Sequence, residues 1–299
     1  MTALSRNAAT AGLVFVTLSV IGLNAAVPIT SSPGLIATIS ALLLIFGLPH
    51  GSFDLALLRR SGPSSRLGYS RLAIVLLYIG CAALMYLVWR LGPVLALASF
   101  LILAMAHFAE DWHDCGSGFL ATGIAAAIVT APALLHRDAV ADLFVLLTGE
   151  SSAAFLADFM LLVAPTAGAV ALVGLVVAWQ AGRQTLAISA GCALAVTLML
   201  PPVPGFALFF CLVHSPMQFR HHTDSLGLRG FRQWGPVVVP LSLGGLGVAV
   251  AILVLNGNSA LATGIFASSF MTLSILTVPH MLVPMVVRGR TDAQPPAPA

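Results

Sequence analysis

Runs of about twenty apolar residues recur along the chain from about residue 10 to residue 288. A helix that crosses the hydrocarbon core of a bilayer needs about 20 such residues, and only helices and closed barrels satisfy their backbone hydrogen bonds there. The composition agrees, because 59% of the residues are hydrophobic and only 8% are charged, against about 25% charged in typical soluble domains. The sequence therefore predicts an all-α protein, a polytopic membrane helix bundle with about 8–10 transmembrane helices, and no nucleic-acid partner.

Ten candidate spans can be placed along the chain. The segment 138–150 is too polar and too short to be one of them, and we expect it to be an interfacial helix. Residues 1–290 are predicted to form a single integral membrane domain, whereas the proline- and alanine-rich tail 291–299 is expected to be disordered. The ten spans lie near 10–30, 34–58, 72–90, 93–112, 118–135, 155–179, 184–201, 205–222, 236–255 and 260–287.

The thirteen basic residues are all arginine, and their distribution predicts the orientation of the chain. With ten spans, only Arg90 and Arg137 fall on the side opposite the N-terminus. Positively charged loops are retained in the cytoplasm, so we expect a multi-pass protein of the cell inner (plasma) membrane with both termini cytoplasmic. The arginines on the N-terminal side are Arg6, Arg59, Arg60, Arg66, Arg71, Arg183, Arg220, Arg229, Arg232, Arg288 and Arg290.

Four histidines lie inside the predicted spans: His50, His107, His214 and His280. Ionisable side chains within a membrane are costly and usually functional, and neutral imidazole is a ligand for iron, copper, zinc and nickel. The four spans run in the same direction through the membrane, which predicts similar depths, with His214 somewhat deeper. We therefore expect several of these imidazoles to share one metal ion.

Carboxylates follow two of these histidines at the same spacing. Asp54 comes four residues after His50, and Asp111 comes four residues after His107. Residues four apart share one face of a helix, so each carboxylate is expected to accept the second ring N–H of its neighbouring histidine. The alternative for Asp54 is that it faces the cytoplasmic loop.

The segment that follows His214 offers several further ligands. Gln218 occupies the position four residues later, where a chelating helix usually carries a second histidine. His221 faces nearly the same way as His214 but lies about 10.5 Å along an ideal helix. His222 points to a different side, so we prefer His221 as a metal ligand. The alternative places both histidines in the headgroup region.

His280 has no carboxylate close to it in sequence. It is interpreted as a further ligand, as a donor to substrate or oxygen, or as a partner of the backbone freed by Pro279. Phenylalanines near the histidines suggest an apolar ligand beside the metal, although packing and lipid contact explain them equally well. These are Phe53, Phe108, Phe206, Phe209, Phe210 and Phe219.

The motifs GLPHGSFD, HFAED, HSP with its following histidines, and PHM occur in this order in an all-helical chain. Together they resemble the bacterial and archaeal Brp/Blh family of β-carotene 15,15′-dioxygenases. The resemblance implies cleavage of the central double bond of β-carotene by O2, giving two molecules of all-trans-retinal for a rhodopsin. It also implies a non-haem Fe(2+) site in which His50, His107 and His214 match the family's first three ligands and Gln218 stands in place of the fourth.

Three other classes of membrane protein use histidines in this setting. A transporter or proton-relay protein would carry ionisable groups through the depth of the membrane. A membrane zinc hydrolase would need a carboxylate as general base beside the metal. A haem-binding redox subunit would clamp its cofactor between histidines of facing helices.

Overall fold

The computed structural model describes residues 3–29, 32–54, 56–57, 71–257 and 260–288, so the predicted disordered tail lies outside the described residues. Within these ranges the regular elements are all helical, which confirms the predicted fold class. Short 3₁₀ helices span Glu110–Cys115 and Ser151–Ala153, and a π-helical turn spans Phe210–His214. The α-helices, numbered in chain order, are α1 Ala3–Ala26, α2 Pro33–Gly51, α3 Arg71–Leu91, α4 Pro93–Ala109, α5 Gly118–Thr130, α6 Pro132–Thr148, α7 Ala154–Gln180, α8 Gln184–Met199, α9 Pro202–Phe209, α10 Ser215–Leu226, α11 Phe231–Leu255 and α12 Leu261–Arg288.

Seven helices of the described chain are long and apolar enough to cross a membrane, and the bent pair α5 and α6 brings the number to eight. The chain is therefore a multi-pass membrane protein, with fewer full-length spans than the ten placed from sequence. The predicted span 184–201 is the 16-residue helix α8. The predicted span 205–222 is divided into α9 and α10 by the π-helical turn.

The helices α5 and α6 are bent by 49° at the break between them. Pro132 begins α6 and lacks the N–H that would continue the hydrogen bonding of α5. The predicted span 118–135 therefore ends at this bend, and the predicted interfacial segment 138–150 forms most of α6. In that segment Val140 is buried in one hydrophobic cluster with Met160 of α7, and α6 packs against α7.

The helix α12 is the most buried of the candidate spans, with 56% of its most apolar window inside the protein. It packs against α2, α3, α4, α6 and α11. The indole nitrogen of Trp89 in α3 donates to the hydroxyl of Ser274 in α12 at 3.0 Å, which fixes these two helices together. The polar side chain of Ser274 on α12 is therefore held inside the bundle.

Candidate metal centre

Three histidines from separate helices meet inside the bundle. His50 of α2, His107 of α4 and His280 of α12 each present a ring nitrogen, and these atoms lie within 4.8 Å of one another. Two nitrogen ligands that each lie about 2.1 Å from one metal ion can be at most about 4 Å apart. The three imidazoles can therefore reach one ion after small adjustments. His50 and His107 are buried, and the side chain of His280 is only 12% exposed.

A fourth imidazole lies against this group. His214 is completely buried at the end of the π-helical turn, and its ring centroid is 4.7 Å from that of His107 and 4.9 Å from that of His50. The hydroxyl of Ser215 donates to the carbonyl oxygen of Phe46 at 2.8 Å and anchors the end of this turn to α2. Helices of π type are common at functional sites because they redirect side chains.

Several buried nitrogen atoms of these rings make no hydrogen bond within the described part of the chain. They include both ring nitrogens of His107 and the Nε2 atom of His214. The nearest carboxylate to His107 is that of Glu110, at 3.8 Å from Nδ1. Buried polar atoms are normally hydrogen-bonded, so this cluster of unsatisfied nitrogens fits the donor set of a bound metal ion.

Asp111 binds His214 and not His107, the histidine four residues before it in the chain. Its carboxylate accepts a hydrogen bond from His214 Nδ1 at 2.7 Å and one from Gln218 Nε2 at 2.8 Å. The expected pairing of Asp111 with His107 is not found, because α4 ends at Ala109. The following 3₁₀ turn has about three residues per turn and rotates Asp111 away from His107.

Asp54 likewise binds a histidine from another helix. Both of its carboxylate oxygens lie 2.8 Å from His280 Nδ1, and the hydroxyl of Tyr78 in α3 donates to it at 3.2 Å. The expected pairing with His50 fails because α2 ends at Gly51 and the chain turns through Ser52 before Asp54. The carboxylate that His280 lacks in the sequence is therefore supplied by the segment that follows α2.

These two carboxylates fix the tautomers of their partners. An ionised carboxylate only accepts hydrogen bonds, so His214 and His280 carry their proton on Nδ1 and leave Nε2 free. A histidine held in this way by a carboxylate is a well-oriented and more basic metal ligand. Gln218 donates a second hydrogen bond to Asp111, and Tyr78 donates one to Asp54, so each carboxylate is held by a further side chain.

The structure does not place His221 with the other histidines. His221 is exposed on α10, and its ring contact is with His222 at 5.7 Å. His222 is partly buried, with its ring centroid 5.8 Å from that of Phe53. His280 occupies the position beside His50 and His107 that is expected from the sequence for His221.

A cavity of about 380 Å³ lies directly beside the three histidines, and we call it the front cavity. His50, His107 and His280 form part of its wall. Three of the six phenylalanines singled out from the sequence also line it, namely Phe108, Phe206 and Phe210. The remaining lining is mostly aliphatic, so the front cavity suits an apolar ligand of small-molecule size.

Two further residues shape the site although neither is among the site residues expected from the sequence. Tyr78 is one of three tyrosines in the chain and stands in an apolar span, where a buried hydroxyl needs a partner. That rule could have marked Tyr78 as a partner of a site residue. Gly47 is the other, because a side chain there would collide with the ring of Phe210. Because Gly47 has no side chain, the π-helical turn can pack closely on α2.

The fold and this site define a multi-pass membrane protein with a buried polyhistidine centre that can hold a metal beside an apolar cavity. Comparison with known families gives the class more closely. Residues 41–287 match the family model described as beta-carotene 15,15′-dioxygenase, and the chain belongs to this family. It is therefore an enzyme of the β-carotene 15,15′-dioxygenase family, in agreement with the resemblance noted from the motifs.

A curated relative supports the same assignment. The beta-carotene 15,15′-dioxygenase of uncultured marine bacterium 66A03 is 26% identical over 250 residues, which cover 81% of this chain and 90% of the relative. No solved structure matches the chain significantly. Membership of an enzyme family favours a catalytic centre over the transporter and proton-relay interpretations of the histidines.

Proposed function

We propose that this enzyme cleaves the central double bond of β-carotene with O2 and releases two molecules of all-trans-retinal. The double bond is broken, each of its carbons receives one oxygen atom, and no external reductant is needed. The observation that carries the proposal is the convergence of buried imidazoles beside an apolar cavity in a member of this family. Retinal produced in this way would serve a rhodopsin.

We propose Fe(2+) as the metal, held by His50, His107 and His280 with His214 as a further ligand. Imidazole suits iron, copper and zinc, and no thiolate joins the metal-binding group found among the described residues. Zinc has no redox chemistry, so a dioxygenase favours a redox-active ion. When bound, iron would supply the activation of O2 that an alkene alone cannot achieve.

The residues of the chain orient the ligands and exclude water. Asp111 and Asp54 hold His214 and His280 with Nε2 free for the metal, and both carboxylates are buried. The aromatic rings of Phe108 and Phe210 cover the histidines, with centroids 4.8 and 5.1 Å from His214. The shape of the apolar wall therefore holds a hydrocarbon substrate next to the metal centre.

Residues of α3 and α11, which both pack against α12, line the front cavity, and we propose that it opens toward the lipid between these two helices. Its lining includes Ile79, Leu241 and Val248, which are 57%, 40% and 36% exposed on the outer faces of these helices. β-Carotene dissolves in the bilayer, so we propose that it enters laterally through this opening. Such a route spares the hydrocarbon any passage through water.

A side chain at Gly244 should close this route. Gly244 of α11 lines the front cavity, and nothing lies within 4 Å of the Cβ that a substitution would add. Gly244→Phe is expected to fill the cavity without a backbone clash and to reduce carotenoid cleavage by about 10-fold or more. Retinal formation and iron content of the purified variant are measured together, and the iron content should not change.

Gly247→Phe is the matched control on the same helix. Gly247 also has open space at its Cβ but does not line the front cavity. Its activity should stay near that of the unmodified enzyme. Equal losses in both variants would contradict the proposed entrance and indicate a general effect of a bulky residue on α11.

The arginine distribution supports a proposal on topology. We propose that residues 1–290 form one membrane domain of the cell inner membrane, with both termini in the cytoplasm. Reporter fusions after residue 6 and after residue 290 test this, because both should report the cytoplasmic side. Reporters on opposite sides would rule it out.

The function itself is tested in cells that accumulate β-carotene. Expression of this chain with added iron is expected to remove the yellow colour and to produce all-trans-retinal, detected by chromatography. Elemental analysis of the purified protein should find iron. Persisting carotenoid in cells whose membranes contain the metal-loaded protein would refute the proposal, and zinc in place of iron would favour a hydrolase.

A further inference from the structure

A second cavity, of about 110 Å³, lies next to the front cavity, and we call it the rear cavity. Four residues line both cavities and so form the wall between them: Phe100, Ala104, Phe108 and Phe206. The three histidines of the metal-binding group line the front cavity and do not line the rear one. The rear cavity thus continues the apolar space beyond this wall.

Unlike Phe108, Phe206 makes no direct ring contact with a histidine in the described part of the chain, so it is the member of this wall that we alter. Phe108 packs against His107 and His214, with ring centroids 5.9 and 4.8 Å apart. The ring contacts found for Phe206 in the described structure are with phenylalanines only, including Phe210 at 5.5 Å and Phe270 at 5.9 Å. Phe206 is also only partly buried, unlike Phe100 and Phe108.

The position of Phe206 in the chain determines how far this wall lies from the histidines. It lies in the eight-residue helix α9, which is preceded by Pro201 and followed directly by the π-helical turn that carries His214. The ring of Phe206 is therefore tied to the metal centre through a short, proline-started segment. Its distance from the histidines is set by local backbone structure.

A polyene without polar groups offers the enzyme nothing to bind except its length and shape. The bond that lies at the metal is then decided by how far the molecule passes beyond the histidines before it meets the wall. We infer that Phe206 is a specificity-determining residue, which limits how far the polyene reaches past the histidines and so selects the bond that is cleaved. This inference rests on the proposed carotenoid cleavage and goes beyond it by assigning the position of the cut.

The inference predicts a change in products. Phe206→Ala joins the front and rear cavities, so the polyene can slide deeper and present an off-centre bond to the metal. Aldehydes of unequal length should then appear beside retinal, and the ratio of off-centre to central products should rise about 10-fold or more. Phe206→Trp shortens the space beyond the histidines and should also produce unequal aldehydes, by holding the polyene further out.

The experiment compares the unmodified enzyme, Phe206→Ala, Phe206→Leu and Phe206→Trp with β-carotene as the substrate. Products are separated and identified by mass, and iron per chain is measured for each protein. Phe119→Ala is the matched control, because Phe119 is 73% exposed and lines neither cavity. Its product ratio should equal that of the unmodified enzyme.

The outcomes separate this inference from the proposed function. An unmodified enzyme that forms no retinal contradicts the proposed function. If the unmodified enzyme forms retinal and the iron-loaded Phe206 variants also form retinal alone, the role of Phe206 is refuted. Phe206→Leu retains most of the apolar packing, so a loss of folding in Phe206→Ala still leaves a variant that decides the question.

Discussion

Replacing His107 with alanine is expected to abolish carotenoid cleavage and metal binding together. His107 is 4% exposed, belongs to the group of three nitrogens that can meet on one ion, and has no hydrogen-bond partner on either nitrogen within the described chain. Loss of residues that only support metal ligands costs about 10–100-fold, so loss of a ligand should exceed that range. Retinal yield and iron per purified chain are the two measurements.

His113→Ala provides the control in the same part of the chain. The side chain of His113 is 69% exposed, and its Nδ1 contacts the carbonyl oxygen of Glu110 at 2.8 Å outside the histidine group. Activity and iron content should both remain close to those of the unmodified enzyme. A His107→Ala protein that keeps its iron and its activity would rule out the proposed centre.

Replacing His280 with alanine should have a similarly large effect, whereas replacing His221 should have little. Without His280, one of the three converging nitrogens is lost, and the buried carboxylate of Asp54 loses its imidazole donor. Leaving a buried charge without its partner is strongly destabilising. We therefore expect loss of iron, loss of retinal formation and a lower thermal stability in His280→Ala.

The comparison with His221→Ala distinguishes two assignments of the remaining ligand. The spacing in the sequence favours His221, and the structure favours His280 because His221 is exposed on α10. Iron content is the deciding readout, since it reports ligation even where activity is low. Retention of iron in His280→Ala together with its loss in His221→Ala would overturn the geometry described above.

Much of the fold follows from the sequence because the membrane permits few solutions. Apolar runs of sufficient length predicted the helices, whereas the charged segment 138–150 lies mostly in α6, which counts as a candidate span only together with α5. The breaks were harder to predict. The bend at Pro132 and the π-helical turn before His214 depend on packing between helices, and proline is common in membrane helices with and without a break.

The residues of the site were easier to predict than the contacts between them. An ionisable residue in a span is conspicuous, so the histidines and both aspartates could be named. Which histidine pairs with which aspartate could not be predicted, because the pairing depends on where each helix ends. Both α2 and α4 end between the histidine and its aspartate, and this turns Asp54 toward His280 and Asp111 toward His214. Periodicity within one helix cannot reveal a contact that joins residues 226 positions apart.

The place of His280 in the chain has a consequence for biosynthesis. Membrane helices are inserted in the order of their synthesis, and α12 is made after the other helices that carry imidazoles to the centre. Until α12 joins the bundle, Asp54 has no imidazole to bind and the group of three nitrogens is incomplete. Loading of the ion should therefore be one of the last events in maturation, and truncation before α12 should leave a membrane-inserted chain that acquires no iron.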